Sequence, residues 1–137
     1  MKRAELQALA RAKRDDALLL LQNGRFSNAY YLAGYAVELA LKAVISRQFS
    51  AEQIPVKAFV VDIHTHELSK LIGLAGLTAE RQAKEKDDPI FAGNWALVSQ
   101  WNEGLRYTST DSYTAQITIP AIVDPNSGVF PWIEVFW

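Results

Sequence analysis

Residues 27–45 read Ser-Asn-Ala-Tyr-Tyr-Leu-Ala-Gly-Tyr-Ala-Val-Glu-Leu-Ala-Leu-Lys-Ala-Val-Ile, and the reading of this stretch decides the fold. Apolar side chains recur at 29, 32, 33, 36, 37, 40, 41, 44 and 45, the period of an α-helix with one broad buried face. Ala29, Ala33, Ala36 and Ala40 make much of that face small, so neighbouring helices can approach closely and the stretch predicts the central helix of a bundle. A second face carries Tyr31, Tyr35, Glu38 and Lys42, spaced by four, three and four and therefore aligned along one side.

Working toward the N-terminus, Lys2–Gln22 is composed of strong helix formers, with Leu6, Leu9, Ala10, Ala17, Leu20 and Leu21 forming a stripe that Lys13 interrupts. Asn23-Gly24 is a helix stop. The short link Arg25-Phe26 predicts an antiparallel first helix pair. Toward the C-terminus, 50–63 contains Pro55 and Ala58-Phe59-Val60-Val61, expected to be an ordered loop with Phe59 and Val61 turned inward. A third helix is expected from about Thr65 to Gly76, and Thr78–Lys86 is helix-prone without an apolar stripe. Asp87-Asp88-Pro89 signals a helix start, with Ile90, Phe91, Trp95, Val98, Trp101 and Leu105 following to an end near Gly104. Residues 112–124 are divided: Ile117, Ile119 and the β-branched threonines favour a strand locally, and Pro120 weakens both strand and helix. A turn follows at 124–128, and Pro131 is expected to open a short final helix with Trp132, Ile133, Phe136 and Trp137.

With 137 residues the chain fits one domain, 1–137, large enough to bury a core, and no repeat or linker divides it. A net charge of −1 provides no global field to attract nucleic acid. The absence of Cys removes disulfides, thiolate metal sites and thiol nucleophiles. The first residues lack the apolar core of a secretory signal, and the apolar run 30–45 is short and contains Glu38 and Lys42. The expectation is a soluble, cytoplasmic protein.

Three segments together resemble the HEPN superfamily, the "higher eukaryotes and prokaryotes nucleotide-binding" domains. They are Tyr31-Leu32-Ala33-Gly34-Tyr35-Ala36-Val37-Glu38-Leu39-Ala40-Leu41-Lys42-Ala43, then His66-Glu67-Leu68 with Leu71, then Trp101-Asn102-Glu103-Gly104-Leu105-Arg106-Tyr107. The resemblance implies an all-α bundle of about five helices, often homodimeric, and favours helix for 112–124. Such domains are often encoded beside a minimal nucleotidyltransferase, and others are RNA-cleaving toxins or defence nucleases. The ribonuclease members carry an Arg followed after four to six residues by a His. Here the windows after Arg25, Arg47 and Arg106 hold no His, and neither His64 nor His66 has an Arg at that distance before it. The resemblance is therefore to the non-ribonuclease type.

The functional expectation is a non-catalytic binding module acting through a nucleotidyltransferase partner, a nucleotide or RNA. Its polar face comprises Tyr31, Tyr35, Glu38, Lys42, Arg106 and Tyr107. Glu38 needs a cation if the helix is central, so Glu38, Lys42 and Arg106 are expected to form one network closed by the two tyrosines. The alternative is a divergent ribonuclease using His64 or His66 with a distant Arg. The two histidines would share a face on a strand and diverge at a helix start, which favours packing or capping over metal ligation. No cofactor motif is present: glycine-rich phosphate loops, His-Glu-x-x-His and Gly-x-Ser-x-Gly are all missing. Asp15-Asp16 and Asp87-Asp88 read as a solvated helix turn and a helix cap.

Overall fold

A computed structural model describes residues 1–49 and 51–137, apart from the side chain of Arg106. Helix accounts for 73% of it, and no strand occurs among the described residues. The α-helices are α1 (Arg3–Gln22), α2 (Phe26–Ile45), α3 (Lys57–Asp62), α4 (Leu68–Leu74), α5 (Thr78–Asp87), α6 (Pro89–Val98), α7 (Ser112–Val123) and α8 (Val129–Glu134). Five of them have ten residues or more; α3, α4 and α8 are short, and of these α3 falls where a loop was expected. No described helix is long and apolar enough to cross a membrane.

The helix α2 is the hub, packing on α1, α4, α7, α8 and a 3-10 turn at Glu103–Tyr107. Ala29, Ala33, Ala36, Ala40 and Ala43 are fully buried, as are Ala10 and Ala17 of α1, so the alanine face does what its side-chain size allows. Gly24 sits at φ 71° and lets the chain reverse after α1; the N–H of Arg25 donates to Leu20 O at 2.9 Å and that of Gly24 to Leu21 O at 3.1 Å, closing the helix end.

Three expectations are corrected. Residues 57–62 are helical, and while Phe59 packs on the core, Val61 is left 59% exposed. The third expected helix is shorter, Leu68–Leu74, so His66 lies in the loop before it. The Trp-rich helix α6 stops at Val98, leaving Trp101 to begin a separate segment. Residues 112–123 are helix: Ala115, Thr118, Ile119 and Ile122 are buried at helical spacing. Packing against α2 and α6 outweighs the local β-propensity and accommodates Pro120 inside the helix, on its exposed side.

Asp88 caps α6, accepting from the N–H groups of Ile90 and Phe91 at 3.1 Å each. Its other oxygen accepts from Ser127 Oγ at 2.8 Å, tying α6 to the turn before α8. The final helix begins at Val129, two residues before Pro131. Val129, Phe130, Trp132 and Ile133 are buried within the bundle, and Trp137 Nε1 donates to Ala40 O at 3.1 Å. The apolar C-terminus is thus covered by its own chain.

Candidate functional site

Within its apolar surroundings α2 carries one acid, Glu38, only 1% exposed. A carboxylate so placed requires compensation, and among the described side chains two groups meet the same oxygen, Oε1. Lys42 Nζ, one helical turn on, donates at 2.9 Å, and His66 Nδ1 lies at 2.9 Å from the far side. His66 reaches there because the loop between α3 and α4 runs past α2. In that loop Thr65 Oγ1 accepts the Glu67 N–H at 3.2 Å.

The second ring nitrogen of His66, Nε2, lies 3.0 Å from Glu103 Oε2. A carboxylate oxygen thus faces each nitrogen of the ring. Glu103 opens the 3-10 turn that follows Trp101 and Asn102; Asn102 Oδ1 accepts the Gly104 N–H at 3.0 Å and fixes the turn's start. Trp101 is 3% exposed and lies against Gly34, where any Cβ would overlap its ring. Its ring centroid is 5.9 Å from that of Tyr31, which stacks with Tyr35 at 6.2 Å and 7° between planes. Burial, the charge of Glu38 and then Tyr31 push the Tyr35 phenol above its ordinary ionisation range.

A surface cavity of about 410 Å³ opens beside this array, lined by His64, Thr65, His66, Glu67, Asn102 and Glu103. Among the described residues, no group of three or more histidines and acids is arranged to hold a metal ion.

The structure brings together Tyr31, Tyr35, Glu38 and Lys42 on one side of α2, and joins His66 to them. His64 lines the cavity, and Tyr107 is 81% exposed at the end of the turn. The expected arm from Glu38 to Arg106 lies outside the described residues, because that side chain is not among them. Of the acid pairs, Asp15 pairs with Arg14 at 3.0 Å on the outside of α1 and Asp88 is the α6 cap. Sequence reasoning missed His66 and Glu103 as members of the array: 28 residues separate His66 from Glu38, and no local pattern marks such a contact. The one signal was the placement of both residues in segments that shared the family resemblance.

Comparison with protein-family models, with curated proteins and with solved structures gives no match.

Proposed function

We propose that the chain is a HEPN-like binding module of the non-ribonuclease type. Its first two helices would form the antiparallel pair of that bundle, and its polar α2 face, extended by His66 and Glu103, would recognise a nucleotide or RNA. A nucleotidyltransferase partner and a homodimeric state belong to the same reading. One observation supports it best: the three segments that carry the resemblance converge on one ion-paired array, Lys42–Glu38–His66–Glu103, at the edge of a cavity. A buried carboxylate holding His66, which in turn meets Glu103, would link three segments and hold that cavity rigid, the pre-organisation that recognition needs. The test is fluorescence anisotropy with a labelled single-stranded RNA and calorimetry with ATP. Binding by the parent chain that is weakened at least about tenfold in Lys42→Gln or His66→Gln, both still folded, supports the reading; no binding of either probe removes it.

A second reading has its own observation. Glu38 on Nδ1 of His66, with Nε2 toward a cavity, is the arrangement of a carboxylate-oriented general base. It selects His66 over His64 as the nucleolytic candidate. RNA cleavage abolished by His66→Ala would favour it over the binding module.

A further inference from the structure

We propose that residues 49–61 form a self-complementary surface through which two copies of the chain pair about a two-fold axis. The pairing goes beyond the binding reading above: it gives the homodimeric state a surface, and it needs neither the array at Glu38 nor a bound nucleotide.

This segment exposes apolar area out of proportion to its length. Among the described residues ten large apolar side chains are exposed, and four of them, Phe49, Ile54, Val56 and Val61, lie within it. Ile54 is 97% exposed and Val56 71%, on neighbouring turns of chain, which is how an interaction surface rather than a solvated loop is composed. The helix α3 carries Ala58, Phe59, Val60 and Val61 among its six residues, yet none of the six is buried. A helix of that length is marginal by itself and is held by what its apolar side packs on. Phe59 supplies part of that packing against the core, while Val61 is left in solvent. A partner lying over Val56 and Val61 completes the burial.

Shape and charge select a second copy as that partner. A hollow of about 240 Å³ opens within the same segment, lined by Phe49, Pro55, Val56 and Phe59, with the Phe49 and Phe59 rings 5.6 Å apart. It exceeds the volume of about 150 Å³ that holds a benzene ring, so an isoleucine side chain can enter it. Ile54 lines its edge and projects into solvent. A projection and a hollow on one patch suit an isologous interface, because each copy gives Ile54 to the other and receives it in return. The charge agrees. Between Arg47 and Asp62 the sequence holds one acid, Glu52, and one base, Lys57. A patch that meets itself must be near neutral, since like charges set against one another across the axis repel. A nucleic acid would call for a surplus of base, which this segment lacks. Its span is about half the roughly 20–30 residues per side of a standard interface, so the dimer belongs to the weak, concentration-dependent class.

The experiment is sedimentation velocity on the full chain from about 1 μM to about 1 mM, where the parent should pass from monomer to dimer. Ile54→Lys and Val61→Lys should each weaken pairing at least about hundredfold, because a two-fold interface contains each change twice. Both should leave the circular dichroism of dilute protein unchanged, since these side chains are exposed in the single copy. Leu19→Lys, at an exposed apolar residue of α1, is the control and should leave pairing intact. The chain has no Cys, so Ala51→Cys accepts a single nitroxide. Unlabelled, spin-tagged Ala51→Cys mixed with ¹⁵N-labelled parent should broaden the Ile54 and Phe59 amides of the labelled copy; should a lysine variant fail to fold, this measurement decides. A parent still monomeric at about 1 mM overturns the proposal, as does a dimer indifferent to both lysine variants, one dissociated equally by Leu19→Lys, or broadening confined to other segments. Mass that keeps growing with concentration means a head-to-tail contact and overturns the two-fold pairing. A monomer whose residues 49–61 respond instead to phosphatidylcholine vesicles assigns the patch to a lipid surface and overturns it too. Pairing through 49–61 without RNA or ATP binding leaves the dimer surface standing while the binding module falls; RNA binding by a monomer does the reverse.

Discussion

Lys42→Met removes a cation paired with a buried acid and should be among the costly substitutions on α2. Methionine keeps most of the aliphatic stem, so the change isolates the ammonium. At 2.9 Å and an effective dielectric constant of about 20, the Lys42–Glu38 attraction is about 6 kcal/mol before desolvation is counted. Breaking a fully buried pair leaves an uncompensated charge and costs about 3–5 kcal/mol. Two features lower the figure here: the Lys42 side chain is 21% exposed, and His66 still reaches the same Glu38 oxygen at 2.9 Å. The expected loss is therefore about 2–3 kcal/mol. Urea denaturation should show a lower midpoint with an unchanged slope, the mark of lost stability without altered compactness. In a double-mutant cycle with Glu38→Gln, the coupling should exceed about 1 kcal/mol, because removing the acid relieves the need for the lysine. A Lys42→Met loss below about 0.5 kcal/mol, with additive behaviour in the cycle, would place the pair with ordinary surface ion pairs and refute the reasoning.

Gly34→Ala should displace the Trp101 ring that lies over Gly34, costing about 1–3 kcal/mol and changing tryptophan fluorescence; unaltered emission and melting would show that the ring yields freely. Asp88 is held below the ordinary aspartate value of 3.8 by the Phe91 N–H, then by Ser127 and Lys84. Its contribution is therefore complete above that value and lost as pH falls through the lowered one, so acid unfolding of Asp88→Asn should show a shallower dependence below about pH 4 than the parent. Burial raises Tyr30, and burial with Glu38 raises Tyr35, above the ordinary 10.0. The stability they confer is present below 10.0 and lost as pH climbs through the raised values, so an ultraviolet titration should show a late phenolate fraction that Tyr35→Phe reduces.

The helical bundle was legible because its signals are local. The alanine face of residues 27–45 states its own period and depth, Asn23-Gly24 states a stop, and Asp88-Pro89 states a start. These depend on backbone geometry within a few residues, which the order of side chains fixes. Residues 112–123 mark the limit of that reasoning. Their β-branched side chains favour extended chain in isolation, and they become helix because Ala115, Ile119 and Ile122 can then all reach the core. Val61 shows the same limit in reverse: an apolar residue expected inside is exposed once its segment coils into a single short helix.

Sequence alone also determined that Glu38 would need a cation, and Lys42 at i+4 was readable from helical spacing. Only the tertiary structure decided that His66, a residue of another segment, joins Lys42 at Glu38, and that Glu103 lies at its other nitrogen. The physical reason is that a hydrogen bond depends on tenths of an ångström, whereas residues 38, 66 and 103 lie on segments whose relative positions follow from packing the whole core. The chain's order encodes which segments are apolar enough to meet; the distances at which their few polar atoms face one another exist only after they have met.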